Sequence, residues 1–197
     1  MCRKKNRKKT KRLMASAICI SLIAFTFEKS VKGYATFYAI SEQQERSNWC
    51  WVAGARGAAR AETTVTATQS DGVYAVKKEI INEKGTADET RRAAQFFSPN
   101  SDFVEYGKPL SFNQIKACID NGHLVITLFD PHGINSATSG HIIFVTGYNT
   151  NDGTEQVRYC ETNDGTTHWY HYDFFCSLSY SLSSIYEYSN SIFCRLK

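Results

Sequence analysis

The sequence predicts an α+β fold, with a helical first half packed on an antiparallel sheet formed by the second half. Two changes of pattern carry this. From Asn48 to about Asn121 the residues read as helices with clear start and stop signals. From His123 onward the period shortens to apolar runs and strict alternation, the mark of strands. Helices followed by strands point to segregated layers. A third observation locates the chemistry: Cys50, between Trp49 and Trp51, opens the helix richest in small residues.

Taken in order, the first helix runs from a cap at Ser47 or Asn48 to about Glu62. Its alanines, with Gly54 and Gly57, suit a central helix packed closely on all sides, despite the propensity cost of glycine. A second helix is expected near Gly72–Glu83, stopping at Gly85. A third follows the capping box Thr86-Ala87-Asp88-Glu89 and ends before Pro99. A fourth starts at the box Ser111-Phe112-Asn113-Gln114 and closes at Asn121-Gly122. Strands are expected over Leu124–Phe129, Ile142–Tyr148, Gln156–Glu161, His168–Tyr172, Ser177–Leu182 and Ile192–Arg195.

The N-terminus reads separately. Residues 1–12 carry eight Lys/Arg and no acid, an apolar stretch spans Leu13 to Phe27, and Gly33-Tyr34-Ala35 forms a small-x-small site. This is the grammar of a secretory signal peptide over 1–35, with cleavage expected after Ala35. Fifteen residues are too few for a stable anchor, which needs about 20. Without 1–35 the chain keeps 13 basic and 18 acidic residues, a net charge of −5. The basicity belongs to the export signal, so no nucleic-acid partner is expected. The remainder, 36–197, fits a single domain, with a helical lobe over about 44–121 and a sheet lobe over about 122–197. It retains Cys50, Cys118, Cys160, Cys176 and Cys194. An odd count in a secreted protein leaves at least one thiol over. Either Cys50 is free with the other four in up to two disulfides, or several are simply buried thiols.

Cys50 is the candidate nucleophile. A thiol at a helix N-terminus feels the positive end of the dipole, which favours the thiolate. Gln44, six residues upstream, can offer an amide N–H to a developing oxyanion. A cysteine nucleophile needs a base. Of the five histidines, His141 stands at the mouth of the apolar strand Ile142–Tyr148 after Gly140, whereas His132, after Asp130-Pro131, reads as cleft-lining or inert. The base needs an orienting group. Asn151-Asp152-Gly153 suits a three-residue hairpin loop that sets Thr150 opposite Thr154, and hence His141 opposite Asn163. A two-residue loop or one bulge would put Asp164 there instead. Asn163 is the expected third member, with Asp164 second. No histidine or cysteine pair shows zinc-ligand spacing, so neither a metal nor another cofactor is expected.

These residues resemble the papain-like cysteine peptidases, and within them the compact bacterial branch of staphopains and bacteriocin-leader peptidases. The likeness rests on Gln44…Cys50-Trp51, on Gly140-His141 with its strand ending Gly147-Tyr148, and on the helix-glycine-strand unit Ile115–Ile126. It implies a papain-like fold with a cleft between the lobes and a secreted endopeptidase acting on protein or peptide substrates through an acyl-enzyme. The family often has Asp-Pro or Asn-Pro at the third position, where this chain reads Glu161-Thr162-Asn163-Asp164-Gly165. By glycine spacing Glu161 takes the Asp slot. The eight or so residues between Ala35 and Gln44 leave no room for an inhibitory propeptide of the papain type, so the enzyme is active on export or is controlled elsewhere, as by a separate protein inhibitor. A transglutaminase-like enzyme or a cell-wall amidase would use similar groups. A non-catalytic secreted binding protein on the same fold is the third reading, suggested by the Tyr/Ser-dense stretch 177–191.

Overall fold

The computed structural model describes residues 33–132, 140–181 and 184–195. The residues of the expected export signal before Gly33 lie outside the described residues. Strands β1 (Tyr34–Thr36), β2 (Phe103–Glu105), β3 (Val125–His132), β4 (His141–Asn149), β5 (Gln156–Cys160), β6 (Thr167–His171), β7 (Ser177–Ser181) and β8 (Ser184–Cys194) join one sheet. Its order is β2-β8-β3-β4-β5-β6, with β1 on β4 and β7 on β8, and each of these pairings is antiparallel. The helices are α1 (Cys50–Glu62), α2 (Gln69–Lys77), α3 (Ala87–Phe97), α4 (Phe112–Asp120) and the single turn α5 (Tyr172–Phe175). The α+β class and the antiparallel sheet are as expected. Among the described residues no helix is long and apolar enough to cross a membrane.

Helix α1 lies against α2 and α3 on one side and against β3 and β4 on the other. That explains its composition. Trp51, Val52, Ala53, Gly54, Ala55, Gly57, Ala58 and Ala59 are all buried. At Gly57 a Cβ would stand 2.5 Å from the ring of Phe144, itself fully buried on β4. Overpacking of this kind costs about 1–3 kcal/mol, more than the ~1 kcal/mol an alanine returns in helix propensity. Gly57→Ala is therefore expected to lower the melting temperature by a few degrees in a thermal denaturation scan, although the same change on an exposed helix would raise it.

Several element ends differ from the expectation, each for a physical reason. Helix α2 starts at Gln69 because Thr68 and Asp71 form a capping box, and it stops at Lys77 because Lys78 adopts φ 65°, not at Glu83. Neither Ser47 nor Asn48 caps α1; its N-cap is Trp49, with no side-chain cap bond. Strand β8 begins at Ser184, eight residues before the apolar Ile192 where a strand was expected, because it pairs along β3 around a bulge at Leu128/Phe129. Tyr172 leaves β6 to open α5. Strands β1 and β2 have three residues each, too short for a periodic signal.

Strand β1 bears on the expected cleavage point. Tyr34 pairs with Asn149 and Ala35 with Tyr148, while the Tyr34 ring packs on Trp169 and Tyr38. A cut after Ala35 falls inside this strand and would remove two of its three residues.

Candidate active site

The turn before α1 is fixed by a segment far along the chain. The Trp49 indole N–H donates to the carbonyl of Ile81 at 2.8 Å and that of Trp51 to Glu83 at 3.1 Å. Both rings are fully buried. Between them Asn48 bonds Asn82 twice, through its backbone N–H (3.1 Å) and its side-chain amide (2.8 Å), and the Asn82 amide donates to the Ser47 hydroxyl at 3.0 Å. Gly85 lies so close that a Cβ there would meet the Trp51 ring at 2.4 Å. The two tryptophans flanking Cys50 thus point away from the chemistry and lock it in place. Cys50 is left half-buried as the first residue of α1, whose first turn holds no acidic residue to offset the dipole.

His141, the first residue of β4, meets Cys50 through a side-chain hydrogen bond. On the other side of the ring, Nε2 lies 2.5 Å from Glu161 Oε1, which leaves Nδ1 for the thiol. Both side chains are largely buried, at 12% and 10% exposure. Burial alone would push the imidazole down. Its hydrogen bonds to Cys50 and Glu161, with their charges, more than reverse this and hold His141 up at about 9. The ring is therefore protonated at neutral pH.

The residue behind His141 corrects the register argument. Near the turn, Asn149 pairs with Gln156 and Gly147 with Arg158; a bulge then shifts the ladder, so that Val145 pairs with Tyr159 and Phe144 with Cys160. That second offset does point from His141 toward position 163. The ladder ends at Cys160, however, and residues 161–166 close a turn in which the Gly165 N–H donates to the Glu161 carbonyl and the Glu161 N–H to the Thr166 carbonyl. Asn163 is exposed in this turn, and its contribution is a backbone N–H to Glu161 Oε1 at 3.0 Å. Asp164 is exposed too and accepts from the Thr166 N–H and hydroxyl. Glu161 is two residues short of the directly opposed position, and its longer side chain spans that diagonal. The group on His141 is the Glu161 carboxylate rather than the Asn163 amide.

Gln44 is where the six-residue offset puts it. It lines the cleft with Cys50, and its backbone N–H donates to the Thr162 carbonyl at 2.7 Å, so the glutamine and the Glu161 turn share one scaffold. Its side-chain N–H donates to the Ser47 carbonyl at 3.2 Å. Gln43 turns away and donates to the Asn163 carbonyl. Sequence reading missed the support beneath this strip. The buried Glu42 accepts two 2.7 Å hydrogen bonds from Arg56 and one of 2.9 Å from Gln69, whose amide also holds the Gln43 carbonyl at 2.6 Å. An acid two residues before a glutamine carries no periodic signal; Arg56, alone among the alanines and glycines of 53–59, is the available hint.

The cleft measures about 560 Å³. Its walls include Lys84, Thr86 and Ala87 on one side and Leu128, Asp130, Tyr186, Ser189 and Asn190 on the other, with Cys50, His141 and Asn163 along its length. His132 ends β3, and its side chain lies outside the described residues. The remaining thiols are of another kind. No disulfide joins the five cysteines, and burial pushes Cys118 up to about 12 and Cys160 up to about 11, which keeps both as inert thiols.

No family model and no curated protein sequence matches the chain. In three dimensions it is similar to a solved mite allergen structure, from a study of limited antibody cross-reactivity between Blo t 1 and Der p 1. The identity is 10%, the TM-score is 0.55, and the match covers 88% of this chain and 74% of the other. That neighbour is papain-like, and the likeness is one of fold.

Proposed function

We propose that this protein is a cysteine peptidase of papain-like type, with its cleft between the helical layer and the sheet. The observation that carries the reading is the row Cys50–His141–Glu161. A thiol at an uncapped helix N-terminus is bonded to an imidazole, and that imidazole is bonded to a buried carboxylate. In this reading Cys50 Sγ attacks a peptide carbonyl while His141 holds the proton. His141 then delivers it from Nδ1 to the leaving amine, and water hydrolyses the acyl-enzyme with His141 as base. Glu161 keeps the ring oriented and favours the imidazolium. The Cys50 backbone N–H and the Gln44 amide receive the oxyanion. A cleft of about 560 Å³ running past Gln44, Cys50 and His141 leaves room for a segment of peptide chain. Export through the N-terminal segment remains part of the proposal.

The test is chemical labelling joined to a substrate panel. An epoxysuccinyl probe is expected to modify the folded chain once, at Cys50 by peptide mapping, and the labelled protein to lose casein cleavage. Glutamine–amine crosslinking or muropeptide hydrolysis without casein cleavage would transfer the same machinery to another acyl group. Absence of labelling with absence of all three activities would leave a binding protein on this fold.

A further inference from the structure

At the far end of α1 from Cys50, three potential metal ligands converge from three separate elements. Glu62 is the last residue of α1, His123 lies in the link between α4 and β3, and Cys194 is the last residue of β8. One ligand atom from each lies within 4.8 Å of the other two, and His123 Nδ1 is 2.7 Å from Glu62 Oε1. From this geometry we propose that Glu62, His123 and Cys194 form a structural site for a zinc-like divalent cation, with water as the fourth ligand.

The donor set suits that metal. A thiolate, an imidazole and a carboxylate together match zinc, whereas calcium or magnesium would want oxygen throughout. The positions are also set before any ion arrives. His123 is held through its backbone N–H, which donates to the Cys118 carbonyl at the C-terminus of α4 (3.0 Å). Cys194 is fixed by its pairing with Phe103 on β2, and the next N–H, of Arg195, donates to the Asp102 carbonyl at 2.8 Å. Both Glu62 and His123 are largely buried, at 10% and 19% exposure, yet His123 keeps enough access for an ion to enter. Twelve residues of helix separate Glu62 from Cys50, roughly 18 Å by helical rise. The cation therefore takes no part in acyl chemistry. It ties the last strand to the nucleophile helix, and the proposal stands whether or not the cleft cuts peptides.

The three ligands are 61 and 71 residues apart along the chain, outside any short spacing motif. Cys118 is the rival for Cys194, since the two thiols are near enough to interact electrostatically.

The experiment uses the full chain carrying Cys50→Ala, which removes the cleft thiol as a competing zinc ligand. After equilibration with Zn²⁺ and gel filtration, elemental mass spectrometry should find one zinc per chain. At a hundredfold excess over Kd the melting temperature should rise by about 5–10 °C. Cobalt(II) in place of zinc should give a thiolate charge-transfer band. Glu62→Gln and Cys194→Ser, both close in shape, should each weaken zinc by about 100-fold or more, and Cys194→Ser should abolish the cobalt band while Cys118→Ser keeps it. The proposal is overturned by a zinc-free chain with no melting shift, by undiminished binding in Cys194→Ser, or by a Cys118–Cys194 disulfide in non-reducing peptide maps.

Discussion

Cys50→Ala should reduce kcat/KM for peptide cleavage by at least about 10⁴-fold, because it removes the atom that bonds the substrate rather than one that helps it do so. The fold should persist. Cys50 is half-buried, its described side-chain partner is His141, and the neighbouring tryptophans keep their bonds to Ile81 and Glu83. The substitution has a second readout. The hydrogen bond that His141 makes to Cys50 is the foremost influence raising His141, ahead of Glu161. In Cys50→Ala the ring should titrate below its wild-type value of about 9, as followed by histidine NMR. A variant that lost activity with an unmoved His141 titration would place the thiol elsewhere than against the ring.

Glu161→Gln should cost activity by about 100-fold to 10⁴-fold while keeping the shape of the turn. The carboxylate supplies both a hydrogen bond and a negative charge to Nε2, and the amide can restore only the bond. His141 should then titrate lower, and the alkaline limb of the rate profile should move toward neutrality. Asn163→Ala should change activity little, since Asn163 serves Glu161 through its backbone. Equal losses in the two variants would return the third position to the turn. The same interaction sets a stability profile. His141 lies near 6.5 when unfolded and about 9 when folded, so protonation favours the native state. That stabilisation is fully present below pH 6.5 and is lost as pH rises through 9. In Glu161→Gln it should be smaller and should fade at lower pH, as measured by denaturant unfolding across the range.

What could be read from the sequence followed from local signals. The boxes at Thr86/Glu89 and Ser111/Gln114 start α3 and α4 as expected, and the apolar runs at 124–129 and 142–148 fall in β3 and β4 to within a residue at their starts. The same kind of signal at Thr68/Asp71 went unread because aspartate replaces the usual glutamate. In the site, Cys50, Gln44 and His141 stand together in the cleft: Cys50 and His141 open α1 and β4, and Gln44 lies a short six residues before the first of these. Glu161 depended on where β5 lets go of β4, a property of the bulge at Thr146 and the turn at 161–166 that no window of residues contains. The pairing of Glu42 with Arg56, and the meeting of Glu62, His123 and Cys194, are products of tertiary packing alone.

The two indole N–H bonds to Ile81 and Glu83 have a bearing on how the chain can be altered. Residues 79–85 form neither helix nor strand and carry Glu79, Glu83 and Lys84, the composition of a stretch where a protein engineer would place a tag or expect drift between relatives. Here, three of its residues serve as the seat of the nucleophile. An inserted residue between Ile81 and Glu83 would pull Trp49 and Trp51 out of step with one another and twist the turn that presents Cys50. The apparently permissive loop should tolerate as little change in length as the core does.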